Sequence, residues 1–175
     1  MIRGGTKLGD QPAAIDAPHL DYSQNDSERQ RFHEVFPPNA FEYSPEVHIL
    51  LGRNDTADEQ FRVMLGVWKP LTDACRHPLA LMDGRTFDAA HERPYEIHID
   101  LGVLKVHNLN GAITYDPRQR WWYYSDQMTD EVLVFRQYTR GDRYFANPHG
   151  SFTNPHCPSG AESRVSVEMR ACLFW

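Results

Sequence analysis

Short apolar segments, separated by prolines and glycines, recur from residue 62 to the last residue and constrain the fold more than any other feature. Apolar residues alternate most clearly in residues 95–109 and 164–175. Alternation with a period of two is typical of β-strands that bury one face. Four further strand-like segments are residues 62–68, 78–83, 120–125 and 131–139. Because helices do not alternate with these strands, the pattern predicts a mainly β fold, a sandwich or a jelly roll.

Helical signals are few. Residues 23–36 combine a capping residue with an acidic first turn, which predicts a helix, and residues 56–61 are compatible with one short helical turn. The 175 residues, of which 41% are hydrophobic, are enough to bury the core of one domain. We therefore predict a single domain over residues 1–175, in which one or two helices flank the strands.

The charge and the cysteines of the chain bear on its partners and its location. The net charge is −6 and the arginines form no run, which argues against a nucleic-acid partner. No apolar stretch is long enough to cross a bilayer, and the N-terminal residues lack the apolar core of a secretory signal. Cys75, Cys157 and Cys172 show no metal-type spacing. We therefore predict three reduced thiols in a cytoplasmic protein that does not contact the membrane.

Two His-x-Asp pairs are candidate halves of a metal site. His19 and Asp21 precede the predicted helix, whereas His98 and Asp100 lie inside an alternating segment. Residues two apart in an extended segment point to the same side, so each pair can offer two ligands to one ion. An iron site of the two-histidine, one-carboxylate type needs a third ligand from elsewhere in the chain. For His98 and Asp100 we favour the solvent-facing side of a strand, and for Asp21 alone a helix cap is the simpler alternative.

Residues 145–170 offer the parts that such a site still lacks. His149 is the candidate for the distant third ligand, and His156 is its rival. Arg164 and Ser166 are also two apart on a predicted strand, so both can face one ligand. A guanidinium binds a carboxylate through two parallel hydrogen bonds, and the hydroxyl adds a third. This pair suits the far carboxylate of 2-oxoglutarate, whose keto-acid end would chelate iron.

Several tracts resemble the hydroxylase/desaturase family of secondary metabolism, which includes gibberellin-desaturase-like proteins and a component of bacterial cephamycin methoxylation. The tracts occur in the family's order and are "HLDYS", "VWKPL", "HPLALMDGRTF", "YDPRQRWWYYSDQMTDEVLVFRQY", "NPHGSF" and "SRVSVEMRACLF". The aromatic tract followed by "MTDEVLVFRQY" is the most specific of them. The resemblance implies a double-stranded β-helix (jelly roll) that binds Fe(II), 2-oxoglutarate and O2 and acts as a non-haem oxygenase.

The resemblance also implies roles for individual residues. It assigns His19, Asp21 and His149 to the metal, and Arg164 with Ser166 to 2-oxoglutarate. A sixth position, Arg170, matches a further family arginine on the same strand face, where it either assists the cosubstrate anchor or serves the structure.

A small secondary metabolite is the implied substrate, to be hydroxylated or desaturated. Apolar and aromatic residues typically line such pockets, and Trp68, Trp122, Tyr124 and Phe152 are the candidates. For each of them plain core packing is the simpler interpretation. Lys69 stands where family members usually have an arginine in a "WRP" tract, which would alter a substrate or structural contact.

The lead-in before the first His-x-Asp pair is shorter than is usual in the family. We therefore expect a homo- or hetero-oligomer that completes the pocket and pairs an exposed sheet edge. Two alternative functions stay open from the sequence. The first is a non-catalytic jelly-roll subunit that assembles with a catalytic homologue. The second is a metal-dependent isomerase or lyase that uses the ion as a Lewis acid.

Overall fold

The computed structural model of the chain describes residues 2–4, 17–25, 27–28, 31, 61–100, 105–139 and 146–175. Within these ranges the backbone forms ten β-strands and two 3-10 helices, Gly84–Thr86 and Ala89–His91. The strands, in chain order, are β1 (Ile2–Gly4), β2 (His19–Leu20), β3 (Phe61–Pro70), β4 (Leu79–Met82), β5 (Glu92–Asp100), β6 (Lys105–Ile113), β7 (Trp121–Tyr123), β8 (Leu133–Thr139), β9 (His149–Ser151) and β10 (Val165–Phe174). The prediction of a mainly β chain is confirmed.

The strands form two antiparallel sheets. One sheet has four strands in the order β1-β10-β3-β8, and the other has six in the order β5-β6-β2-β9-β4-β7. Most neighbours are distant in sequence, as with β10 beside β3 and β9 between β2 and β4. This order brings the residues around His19 and those around His149 onto adjacent strands, although more than a hundred residues separate them.

The predicted strands agree with the structure except at one segment. Residues 95–109 belong to two strands, β5 and β6, which pair antiparallel from Glu92 opposite Ile113 to Asp100 opposite Lys105. Apolar residues recur in both strands without a long polar interruption, so the sequence pattern alone does not reveal that the chain reverses direction.

The predicted helix over 23–36 is described only in part. Residues 27, 28 and 31 are helical, whereas the rest of 29–36 and residues 56–60 lie outside the described residues. The Oδ1 atom of Asn25 accepts a hydrogen bond from the backbone N–H of Glu28 at 3.1 Å, which is the pattern of an N-terminal cap.

The core between the sheets takes residues from both. Trp68 and Phe135 from the four-stranded sheet pack with Leu79 from the six-stranded one and with Ala74 of the connecting loop. Burying a large apolar side chain contributes about 1.5–3 kcal/mol relative to leaving it in water. Gly66 is required at the centre of β3, because a Cβ atom there would lie 2.7 Å from the Phe135 ring.

The expectation of three reduced thiols is wrong for two of them. Cys75 and Cys157 form a disulfide whose Cα atoms are 5.6 Å apart, and Cys172 lies outside it. The bond joins the loop after β3 to the loop after β9, and the backbone N–H of Asn154 also bonds to the carbonyl of Arg76 at 3.1 Å. Sequence spacing could not reveal this pair, because 82 residues separate the two cysteines and only the fold brings the loops together. Among the described residues, no helix is long and apolar enough to cross a membrane.

Candidate metal centre

The pairing of β2 with β9 brings two predicted ligands together. His19 and His149 are direct partners across these antiparallel strands, so both imidazoles project from the same face. Their ring centroids are 4.6 Å apart. Asp21 follows β2 immediately, and all three side chains are buried, with exposed fractions of 2%, 4% and 3% in chain order.

Hydrogen bonds determine which nitrogen of His19 and of His149 points away from Asp21 and carries a proton. The Nδ1 atom of His19 lies 2.8 Å from the carbonyl oxygen of Ala17, and that of His149 lies 3.1 Å from the carbonyl oxygen of Asn147. A carbonyl oxygen can only accept, so each Nδ1 carries a proton, and Nε2 is the ring nitrogen left for a metal ion. These Nε2 atoms lie 3.4 and 3.8 Å from the same oxygen, Oδ1 of Asp21.

The three ligand atoms fit a divalent metal ion. Among the described residues, the buried Nε2 atom of His19 is an atom without a hydrogen-bond partner, and it faces a carboxylate oxygen. Two imidazole nitrogens and one carboxylate oxygen form the donor set of non-haem iron sites with open positions. Hydrogen bonds from the distal ring nitrogen to a carbonyl are the usual way in which proteins orient metal-binding histidines.

The second oxygen of Asp21 has different partners. Its Oδ2 atom accepts hydrogen bonds from Gln137 Nε2 at 3.0 Å and from Arg170 Nη2 at 2.7 Å. Burial raises the pKa of Asp21, but the contact with His19, the electrostatic attraction of His149 and the charge of Arg170 together hold that pKa well below its usual value. The carboxylate is therefore ionised at neutral pH and ready to bind a cation.

The predicted cosubstrate anchor lies on the inner face of β10 and at its start. Arg164 and Ser166 are both buried, and the guanidinium Nη1 donates to the Ser166 hydroxyl. The Nε atom of Arg164 donates to the backbone carbonyl of His77, and the guanidinium carbon lies 4.9 Å from the centre of the Trp68 ring. These contacts fix the plane of the guanidinium, as binding a carboxylate through two parallel bonds requires.

The core connects the predicted anchor to the predicted metal ligands. Trp68, which stacks on Arg164, shares a buried cluster with Phe135. The ring of Phe135 in turn lies 4.9 Å from that of His149. Both groups of predicted residues therefore border the same interior between the sheets.

Two histidines of the sequence analysis lie outside this group. His98 is exposed, and its Nε2 atom pairs with Glu96 Oε2 at 2.8 Å, which confirms the solvent-facing interpretation for that residue. His156 is exposed in the loop that contains Cys157, and the group of potential ligands around Asp21 does not include it.

The predicted substrate residues occupy different surroundings. Trp68 is buried beneath Arg164, and Lys69 points to the opposite face of β3 because it is the next residue. Trp122 is opposite Leu81, which is itself opposite His149, and the indole is 68% exposed. Tyr124 is exposed beside a cavity of about 250 Å³.

Phe152 borders an apolar cavity next to the strands that carry His19 and His149. Its ring contacts that of Tyr123 edge-on at 4.9 Å. The cavity measures about 330 Å³ and has an apolar lining that consists of Pro18, Ala80, Trp121, Tyr123, Gly150, Ser151 and Phe152.

Sequence analysis missed the contacts that hold the segment after Asp21. The Ser23 hydroxyl and the Gln24 backbone N–H both donate to Oε1 of buried Glu92, at 2.6 and 2.9 Å. Gly111 makes room for this carboxylate, since a Cβ atom at that position would lie 2.5 Å from Oε1. A glycine inside a strand often marks such a close approach, but Gly111 lies beyond the segment 95–109 that was predicted as strand, so the sequence did not indicate it.

A second group of potential ligands, Asp88, His91 and Asp116, lies near the surface, and both of its carboxylates are already paired with Arg118. The Nε2 atom of His91 and Nη2 of Arg118 both contact Oδ2 of Asp116, at 3.0 and 2.6 Å. Arg118 also pairs with Asp88 at 3.0 Å. An arginine that occupies both carboxylates makes this an ion-pair network, so we assign no ligand to it.

The fold and the buried donor set together define a class: a β-sheet protein with a buried group of two histidines and one carboxylate that could hold a metal ion. The chain belongs to the family described as oxidoreductase/YMDC permease-like domain, which matches residues 2–174.

Individual relatives come from fungi, and two of the three described next have names of oxidising enzymes. The chain is 30% identical to aspirochlorine biosynthesis protein N of Aspergillus oryzae, over 64% of this chain and 48% of the relative. It is 29% identical to the hydroxylase/desaturase asaB of Aspergillus flavus, over 64% of this chain and 55% of the relative. It is 30% identical to the Fe(II)/2-oxoglutarate-dependent dioxygenase nvfI of Aspergillus novofumigatus, over 62% and 39%. The predicted resemblance to hydroxylases/desaturases is confirmed, and the chain spans about half the length of the first two relatives.

Solved structures give the same result for the fold. The iron and alpha-ketoglutarate-dependent endoperoxidase NvfI superimposes with a TM-score of 0.66 at 21% identity, covering 99% of this chain and 59% of that one. Its W199F variant superimposes with a TM-score of 0.69 at 22% identity, covering 99% and 58%. The chain therefore has the fold of an iron- and 2-oxoglutarate-dependent oxygenase.

Proposed function

We propose that this chain carries the catalytic centre of a non-haem Fe(II)/2-oxoglutarate-dependent oxygenase that hydroxylates or desaturates a small secondary metabolite. The observation that carries the proposal is the buried group of His19, Asp21 and His149, whose two Nε2 atoms face one carboxylate oxygen. The names of the relatives support it. We further propose that the two sheets form a single jelly-roll domain.

In this proposal the residues of the chain divide into two tasks. His19, Asp21 and His149 hold Fe(II), while Arg164 and Ser166 bind the C5 carboxylate of 2-oxoglutarate. When bound, iron and 2-oxoglutarate supply the activation of O2 that oxidises a C–H bond of the substrate. The buried surroundings of the site exclude water, which protects reactive species from side reactions.

The anchor has a physical basis in burial and charge. Arg164 is 3% exposed, and a buried guanidinium is stabilised by a carboxylate that can accept two of its hydrogen bonds. The Ser166 hydroxyl is aligned with the guanidinium by their mutual hydrogen bond, so both groups can contact one carboxylate. Trp68 acts here as a support for Arg164, which agrees with core packing, the simpler of the two interpretations that the sequence offered for this residue.

The test is anaerobic addition of Fe(II) and 2-oxoglutarate to the metal-free protein. We expect the weak visible charge-transfer band of an iron-chelated keto acid in the wild type and no band in His149→Ala. We expect the Arg164→Ala variant to need at least about tenfold more 2-oxoglutarate, because a hydrogen bond to a charged group contributes about 1.5–3 kcal/mol. His156→Ala is the matched control and keeps the wild-type band. A folded wild type without the band, or a band that survives in His149→Ala, contradicts the proposal.

A further inference from the structure

The two oxygens of Asp21 are held in different ways. Oδ1 faces the Nε2 atoms of His19 and His149, while Oδ2 accepts from Gln137 at 3.0 Å and from Arg170 at 2.7 Å. Two donors on a single oxygen prevent the carboxylate from rotating about its last side-chain bond. The structure therefore presents only Oδ1 to the space between the histidines.

Glu168 completes this arrangement from β10. The Nε2 atom of Gln137 also donates to Oε1 of Glu168 at 2.9 Å, and Arg170 Nη2 lies 3.9 Å from the same oxygen. The amide of Gln137 has two hydrogens, so one goes to Asp21 and the other to Glu168. Gln137 is 1% exposed, which makes its hydrogen bonds costly to lose.

The sheet is built so that these side chains can meet. Gln137 lies on β8, Glu168 and Arg170 lie on β10, and β3 runs between the two strands. Gly66 is the residue of β3 opposite Arg170, and a Cβ atom there would lie 3.0 Å from Gln137 Nε2. Because Gly66 has no side chain, Gln137 of β8 and Arg170 of β10 have the space to reach Asp21 across β3.

We propose that Gln137, Glu168 and Arg170 form a carboxylate clamp that positions Asp21 as a one-oxygen ligand of the metal. This inference rests on the proposed iron site, and it gives Arg170 a role different from that of Arg164. Arg170 is a positioning residue that acts through Asp21, and it does not belong to the 2-oxoglutarate anchor.

Charge explains why the clamp combines an arginine with a second carboxylate. Arg170 offsets the charge of Asp21 on the side that faces away from the histidines, which keeps that oxygen from turning towards the ion. Glu168 offsets part of the Arg170 charge, so Asp21 remains a good donor through Oδ1. Removing residues that hydrogen-bond to a metal ligand in this way typically changes metal affinity by about 10- to 100-fold.

The experiment separates metal affinity from cosubstrate affinity. Co(II) is titrated into the metal-free protein and followed by its visible absorption, and 2-oxoglutarate is then titrated at saturating Co(II). We expect Gln137→Leu and Arg170→Met to weaken Co(II) binding by about 10- to 100-fold while 2-oxoglutarate affinity changes less than about threefold. We expect Arg164→Met to do the reverse.

Two conservative changes distinguish positioning from general loss of structure. Arg170→Lys keeps a cation near Oδ2 and recovers most of the Co(II) affinity. Arg136→Met removes an exposed arginine next to Gln137 on the other face of β8 and binds Co(II) like the wild type. Circular dichroism identifies variants that are not folded. If Arg170→Met is one of them, the Co(II) affinity of Arg170→Lys is compared with that of the wild type instead.

Each other outcome has one meaning. Arg170→Met with unchanged Co(II) affinity and weakened 2-oxoglutarate binding overturns the clamp and assigns Arg170 to the anchor. Unchanged Co(II) affinity in both Gln137→Leu and Arg170→Met also overturns it. Failure of the proposed function is a separate result, in which the wild type and His149→Ala bind Co(II) equally.

Discussion

The structure contains two groups of histidine and aspartate that look alike in composition and differ in how an arginine joins them. In the buried group, Arg170 binds Oδ2 of Asp21 and leaves Oδ1 to the histidines. In the surface group, Arg118 and His91 contact the same oxygen of Asp116. Arg118 also donates to the other oxygen of Asp116 through Nε at 3.2 Å. Residue types alone therefore do not define a metal site. An arginine that binds one oxygen of a carboxylate leaves the other oxygen for a metal ion, whereas an arginine that binds both leaves none.

The largest loss of Fe(II) affinity is expected when a residue of the buried group is removed. Replacing His149 with alanine removes one of three ligands, so we expect Fe(II) affinity to fall by at least about 100-fold. Replacing His91 with alanine removes a residue of the surface group and leaves the affinity within about twofold. Isothermal titration under anaerobic conditions measures both. Equal losses in the two variants would show that the groups are not different in kind.

A second change separates stability from metal binding. Replacing both Cys75 and Cys157 with serine removes a disulfide that closes a loop with a sequence separation of 82. Loss of a native disulfide typically lowers the free energy of unfolding by about 2–4 kcal/mol. We expect that decrease in chemical denaturation together with an unchanged affinity for Fe(II), because neither cysteine belongs to the buried group. A metal affinity that falls with the disulfide would place these loops within the site.

Gly66→Ala tests the packing beneath the buried group. The added Cβ would lie 2.7 Å from the Phe135 ring, and Phe135 contacts His149. Overpacking a close contact costs about 1–3 kcal/mol, and the displaced ring moves His149. We expect a lower free energy of unfolding and a Fe(II) affinity reduced by several-fold. Val67→Ala is the matched control on the next residue, whose side chain points to the other face of β3. A variant as stable as the wild type would contradict the close packing at Gly66.

The smallest effect concerns salt and pH. Hydrogen bonds from Arg118 lower the pKa of Asp116 to about 2. A carboxyl whose folded pKa is depressed stabilises the fold above its unfolded pKa of about 3.9 and loses that contribution as the pH falls towards the folded value. The wild type should therefore lose stability faster than Asp116→Asn between about pH 4 and about pH 2.

Salt then distinguishes the two aspartates. The Arg118 side chain that pairs with Asp116 is 69% exposed, so salt screens this pair and the difference from Asp116→Asn shrinks at about 0.5 M salt. The Arg170 side chain that pairs with Asp21 is only 23% exposed, and the pKa of Asp21 is also lowered, so the corresponding difference from Asp21→Asn persists in salt. Unfolding curves of the metal-free protein at two salt concentrations provide the measurement. Equal screening of both aspartates is the contrary result.

Much of the fold could be predicted from local patterns. Short apolar and aromatic runs located β3, β4, β7 and β8, and alternation located β10, because a strand with one buried face has a period that is readable over a few residues. Residues 95–109 were predicted as one alternating segment, so the reversal between β5 and β6 was not predicted. The disulfide between Cys75 and Cys157 depends on loops that meet only in the folded chain.

The candidate site shows the same division between local and distant information. His19 with Asp21, and Arg164 with Ser166, were recognisable because spacing by two places side chains on one face. Glu168 was not singled out from the sequence, although its even spacing from Ser166 and Arg170 puts it on their strand face. Gln137 gave no signal, since its role depends on the order of β8, β3 and β10 in the sheet.

Iron location is the most direct test of the central claim. Crystals grown anaerobically with Fe(II) can be measured on both sides of the iron absorption edge, which locates the metal independently of activity. The prediction is one anomalous peak within coordination distance of Nε2 of His19, Nε2 of His149 and Oδ1 of Asp21, with Oδ2 still bonded to Arg170. A peak at Asp88, His91 and Asp116 instead, or no peak between the two histidines, would contradict it.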